Sequence, residues 1–199
     1  MGYSMLRPTN EQFIEICRTT DFAVLSIRGH IAIDSALSDV IIQTLPEPHV
    51  IEVERISFLL KVDLAIALRS MRQDSRPLFQ KLNIIRNQFA HKANAQVDDT
   101  MARELRNCIS EHQEDILSLK DHPDIWTTPL QILNLATAAA FYDVVHSLNV
   151  LKLHKLEMES WREETEILLK EIGPIDHPAK GEFSERVKKR LDEKTKSHT

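Results

Sequence analysis

Glycine is scarce in this chain, with four in 199 residues. Beta-rich folds of this length spend more glycine on turns, so the shortage argues for long helices and few tight reversals. Cysteine is scarcer still. Cys17 and Cys108 cannot build a disulfide framework, and no Cys-x-x-Cys pair offers a zinc or redox centre. Both lie in helical patterns, where a free buried thiol is expected. The longest run resembling an apolar core, Leu135 to Val145, falls far short of a membrane span. An apolar leader core is missing from the N-terminus, and Leu6 stands where a myristoylation signal needs Ser or Thr. These absences point to the cytoplasm and to no membrane partner. A glycine-rich phosphate loop is also missing, which excludes nucleotide hydrolysis of the P-loop kind. No Ser-His-Asp or Cys-His arrangement suggests itself. His146 and His154 are too far apart on one helix to chelate together, and no metal or other cofactor is expected.

What is present suits a folded body: 42% hydrophobic and 28% charged residues. The expected organisation is one helical-bundle domain over 1–172, then a linker and a basic, flexible tail over 173–199. Net charge is −5, but its sign is unevenly spread. Residues 69–92 hold Arg69, Arg72, Arg76, Lys81, Arg86 and Lys92 against the single acid Asp74. The tail is basic as well. Non-specific nucleic-acid binders are basic overall, whereas this composition fits one local anion-binding surface on an acidic body. Arg69, Arg72, Arg76, Lys81 and Lys92 are therefore candidate nucleic-acid contacts, beside the simpler reading of a solvated charged face.

The helices can be placed from caps and periodicity. Thr9-x-x-Gln12 has capping-box spacing and opens a short helix to about Thr20. Asp21 caps a second, which Pro46 and Pro48 end. A third is expected over about 52–69, and Asp74-Ser75-Arg76-Pro77 reads as a turn into the fourth. The fourth carries Leu78, Leu82, Ile85 and Phe89 at helical spacing. After a polar break at 94–99, a fifth runs to about Leu119. Thr127-Thr128-Pro129 starts the last helix, and Leu130 to Lys170 contains neither proline nor glycine. Its second half is poor in core residues and is expected to project, bend or pair with another subunit. Trp126 and Trp161 are expected as packing anchors.

The fourth helix ends in Ile-Ile-Arg-Asn-Gln-Phe-Ala-His, residues 84–91. Asn87 and His91 are one turn apart and share a face, and the long Arg86 fork can sweep toward them. These residue types suit metal-free RNA cleavage, because the 2′-hydroxyl is an internal nucleophile and the protein need only move protons and stabilise charge on phosphorus. Histidine serves as general acid or base, arginine grips the non-bridging oxygens, and asparagine orients either without titrating. The same spacing also suits a structural role, with His91 complementing the helix dipole. Spacing alone does not choose between them. Asp34 and Lys61, each a charge among apolar helical neighbours, are expected to pair across two helices and to support Arg86 or His91; His30, one turn before Asp34, can share that network.

Arg86-Asn87-Gln88-Phe89-Ala90-His91 resembles the Arg-x4-His motif of the HEPN superfamily, whose active members are metal-independent ribonucleases. More closely, the chain resembles the mannitol operon repressor family over roughly residues 20–110. Arg28-Gly29 with Asp34-Ser35-Ala36-Leu37, Phe58-Leu59-Leu60-Lys61, Ile85-Arg86-Asn87-Gln88-Phe89-Ala90-His91 and Asp98-Asp99 carry that likeness. Arg69 stands where the family usually has glycine. The resemblance implies an all-α, HEPN-like bundle with a long C-terminal helix, acting as a homodimer with two motif helices facing across a composite cleft. It implies Arg86, Asn87 and His91 as catalytic residues of an endoribonuclease leaving a 2′,3′-cyclic phosphate, a toxin or defence effector with RNA as substrate and possible antitoxin partner. The alternative it implies is a non-enzymatic transcriptional regulator that binds DNA or a partner regulatory protein.

Overall fold

A computed structural model describes residues 7–92, 94–119 and 126–172, with side chains to 167. Among them every regular element is helical. The chain forms two compact units, 1–153 and 154–199, divided inside its last helix. The expected linker and basic tail, 173–199, lie outside the described residues.

Caps explain where most helices begin. Helix α1 (Asn10–Cys17) opens on the Thr9–Gln12 capping box, with both reciprocal bonds formed. Helix α2 (Phe22–Thr44) opens on Asp21, whose carboxylate accepts from the amides of Ala23 and Val24. It stops as Leu45, the residue before Pro46, turns extended. Helix α3 (Phe58–Ala67) starts later than its apolar period suggests. Val53 is buried, but it sits in a short 3₁₀ turn (Val53–Arg55), so the apolar spacing there reflects packing without a helix.

The end of α3 is a Schellman motif. Ser70 N–H donates to the Ala65 carbonyl and Arg69 N–H to that of Ile66, both at 2.9 Å. This geometry needs a left-handed residue, and Arg69 supplies it at φ 58°. A side chain there crowds the following carbonyl, whereas glycine does not. Arg69→Gly is therefore expected to stabilise the fold by about 1 kcal/mol, read as a higher urea midpoint with an unchanged slope.

Helix α4 (Arg76–His91) carries Pro77 in its first turn. The expected fifth helix is two: α5 (Asp99–Arg106), capped by Asp98, and α6 (Glu111–Ile116). The chain restarts because Ser110 and Gln113 form a second capping box. Helix α7 (Pro129–Ile172) opens on reciprocal bonds between Thr128 and Gln131.

In the first unit α2 is central, packed on α1, α3 and α4, with buried residues around much of its circumference. The early part of α7 closes the core. Phe13 of α1 stacks on Phe141 at 3.8 Å between centroids. α2 approaches α7 at Gly29, where an added Cβ would lie 2.5 Å from Thr137 Cγ2. The Thr137 hydroxyl donates to the Leu133 carbonyl at 2.7 Å, which holds its methyl toward Gly29. Buried Asp143 ties α7 to α6, accepting from Gln113 Nε2 at 2.8 Å, and burial raises its carboxyl above the usual range. Cys17 and Cys108 are only half-buried, with no disulfide; burial lifts the Cys17 thiol to about 11, so it stays protonated and unreactive at neutral pH. Trp126 packs on the core with the Arg106 guanidinium over its ring at 4.9 Å. Trp161 is not the packing anchor expected: it is 68% exposed. No described helix is long and apolar enough to cross a membrane.

Candidate functional site

The sequence of α4 sorts into an inner and an outer face. Leu78, Phe79, Leu82 and Ile85 are buried, which pins the helix against α2 and α3. Gln80, Ile84 and His91 face outward, with half-buried Asn87 between Ile84 and His91 on the same strip. Asn83 and Arg86 occupy the edge between the faces, half-buried.

Along that edge a polar cluster joins three helices. Lys61 Nζ, its side chain 1% exposed, donates to Asp34 Oδ2 at 2.7 Å. The expected pairing of Asp34 with Lys61 is thus formed. His30 stacks beside Phe58 at 4.0 Å between ring centroids, and its Nε2 meets Asn83 Oδ1 at 3.2 Å. With that oxygen accepting, Nε2 carries the proton. Asn83 is the member the sequence did not single out: its partner His30 is 53 residues away, and only the crossing of α2 over α4 joins them.

His30 is pushed down to about 4, first by burial, with the Asn83 bond opposing and the Arg86 charge adding to the fall. Its imidazole is therefore neutral in this site. Because the folded pKa lies below the unfolded value near 6.5, the unfolded chain binds the extra proton between those values. Stability contributed by neutral His30 is present above pH 6.5 and is lost as pH falls toward 4. The slope should approach about 1.4 kcal/mol per pH unit. Urea midpoints measured across this window should show that slope, and His30→Gln should flatten it; an unchanged slope in the variant refutes the assignment. The raised Asp143 carboxyl works in the opposite sense, which is why the variant is needed.

Arg86 Nη1 donates to Asn87 Oδ1 at 3.0 Å, so the guanidinium and the amide are held as one unit. Arg86 Nε is buried and has no hydrogen-bond partner among the described residues. His91, the last residue of α4, is exposed and is not bonded to Arg86 or Asn87. At 100° per residue, positions five apart point about 140° away from each other. One copy of the helix thus brings Arg86 and Asn87 together but aims His91 elsewhere.

The basic stretch looks different once folded. Arg76 makes two bonds to Asp63, at 2.6 and 3.2 Å, and holds that carboxyl below the ordinary range. Arg72 pairs with Asp74 at 3.0 Å, and Lys81 pairs with Glu104. Two of these acids, Asp63 and Glu104, come from outside residues 69–92, so three of the six cations are paired and the local excess of charge falls from +5 to +3. Arg69 and Lys92 are exposed. Arg86 differs from the three paired cations: half-buried, it has no carboxylate partner among the described residues.

Among the described residues, no three His, Cys, Asp or Glu side chains are grouped to hold a metal ion. Comparisons with protein-family models, curated proteins and solved structures find no match to this chain.

Proposed function

We propose that this chain is a metal-independent endoribonuclease of the HEPN type, with its site completed by a second copy. The observation that carries the reading is Arg86: a half-buried guanidinium, braced by Asn87, with no carboxylate partner among the described residues. A guanidinium without a carboxylate partner favours an anionic oxygen, which its other N–H groups can meet in a charge-assisted pair. A phosphodiester supplies such oxygens.

Proton transfer falls to His91, which is exposed and so within reach of a substrate. Its imidazole takes the proton of the ribose 2′-hydroxyl, the freed oxygen attacks phosphorus, and the 5′-oxygen leaves with a proton from a water molecule. The products are a 2′,3′-cyclic phosphate and a 5′-hydroxyl end. Arg86 holds the non-bridging oxygens as charge builds on them. Since Arg86 and His91 diverge on one helix, a two-fold pair of α4 helices brings Arg86 of one copy toward His91 of the other. Ile84, 45% exposed on the strip that holds Asn87 and His91, is the apolar contact such a pairing covers. An RNA-cutting protein of this kind fits a toxin or defence effector held in check by an antitoxin.

A second reading draws on the paired cations. With Arg72, Arg76 and Lys81 already engaged by acids, the cations of residues 69–92 do not form a continuous polyanion track, which favours a non-enzymatic regulator that binds a partner protein. The deciding experiment is single-stranded RNA with purified protein in EDTA, beside His91→Ala. Cutting lost in the variant supports the nuclease. Equal cutting by both, or by neither, removes it and leaves the regulator.

A further inference from the structure

Trp161 is the least expected exposed residue of the chain, at 68%, and Met158 beside it is 58% exposed. Both lie in the second unit, on the stretch of α7 after residue 153. The two side chains, with Glu159, Arg162, Thr165 and Glu166, line one open depression along the helix.

These positions fall into a heptad register. With Met158 and Thr165 at a, His154 and Trp161 stand at d, and the sequence continues the pattern with Leu168 and Ile172. Thr165 is less polar here than its name suggests, since its hydroxyl donates to the Trp161 carbonyl at 2.7 Å and its methyl is left for the seam. The flanks are sorted by sign. Lys155 and Arg162 hold the e positions, and Glu157 and Glu164 hold the g positions.

A rival apolar stripe runs along the same helix through Leu153, Leu156 and Ile167, which are 61%, 62% and 55% exposed. It passes through Ser160 and Glu163, and it is bordered by Glu157 and Glu164 on one side and Glu159 and Glu166 on the other. A second copy meeting that stripe would set acid against acid. The Trp161 seam carries opposite signs on its two borders, so it alone matches its own image.

We infer that residues 154–172 form a parallel, in-register two-stranded coiled coil with the same segment of a second copy. Direction follows from the flanks. In a parallel pair, g of one helix faces e of the next heptad on the other, so Glu157 of each copy meets Arg162 of its mate. An antiparallel pair sets g beside g and e beside e, which stacks like charges. Arg162 is free to make the contact: its bond within the helix, to Glu166 at 3.5 Å, is made at the surface and is weak. The inference needs two copies but does not depend on what they do to RNA.

The test uses the full chain carrying His154→Cys, a d position that leaves Trp161 in place. Mild oxidation should give a covalent dimer on a non-reducing denaturing gel, above any background from Cys17 and Cys108 in the unsubstituted chain. Adding Arg162→Glu places Glu against Glu twice per dimer and should weaken cross-linking roughly fivefold. Adding Glu157→Arg to that variant restores opposite signs and should recover it. The inference is overturned by cross-linking no greater than background, as when the chain's own tail covers the seam. It is equally overturned if Arg162→Glu leaves cross-linking unchanged, or if the charge swap fails to recover it.

Discussion

Asp34→Ala is expected to remove about 3 kcal/mol of folding stability, a large part of what a bundle of this size holds. The reason is an asymmetry in burial. The Lys61 side chain is 1% exposed and the Asp34 side chain 34%. Deleting the acid leaves an ammonium in the interior with its counter-charge gone, and the chain must then bury an unpaired charge or deprotonate the amine. Deleting the cation is milder, because water already reaches Asp34. Lys61→Met, which keeps most of the volume, should cost less than about 1.5 kcal/mol. Urea unfolding of the two variants checks this, and the ordering is the sharp part. Equal losses would mean that the pair is held by packing rather than by charge. The comparison also separates support of the fold from support of the site, because the same buried pair lies close enough to His30 to act on its charge state.

The parts of this fold that are readable along the chain are those set by neighbours in sequence. Thr9 with Gln12, Asp21, and Thr128 before Pro129 each mark a helix start that the structure forms, because a cap satisfies amides within the next three residues. The second capping box, Ser110 with Gln113, is of the same kind and sat inside a stretch whose apolar period ran through it, so one expected helix became α5 and α6. Val53 misled in the same way, being buried by a 3₁₀ turn. Asp34 and Lys61 were legible as a pair because each is a charge on an otherwise apolar helix face, and a lone buried charge is too costly to stand. What the sequence hides is contact across long separations: His30 with Asn83, Gln113 with Asp143, Arg76 with Asp63. That blindness bears on the site directly. A run of cations counted along the chain reads as one patch, yet Asp63 and Glu104 arrive from other elements to pair two of its members. Arg86 emerges as the cation of interest through what does not meet it, a fact that no spacing records.

Against single-stranded RNA in EDTA, His91→Ala should lower the cleavage rate by about 10²- to 10⁴-fold, the range general acid–base catalysis contributes. Arg86→Ala should fall in a similar range, since it removes the group that stabilises charge on the phosphate, and Arg86→Lys should recover little because a point charge cannot replace a braced, bidentate fork. The geometry makes a stronger demand. With Arg86 and His91 about 140° apart on one helix, a working site takes each from a different copy. Two dead variants should therefore repair one another. In a dimer of one Arg86→Ala chain and one His91→Ala chain, one groove half keeps the intact arginine of one copy and the intact histidine of the other, while the second half lacks both. Random pairing makes half the dimers mixed, each with one of two sites, so co-refolded variants should regain about a quarter of the unsubstituted rate. Simple mixing without exchange of subunits should regain none. Recovery at that level is unavailable to a site built within one chain, and it is unavailable to a contaminating nuclease, which would cut RNA equally in every sample. Two variants that stay inactive after verified co-refolding would show that Arg86 and His91 serve the same copy, and the two-fold arrangement of α4 would have to be given up.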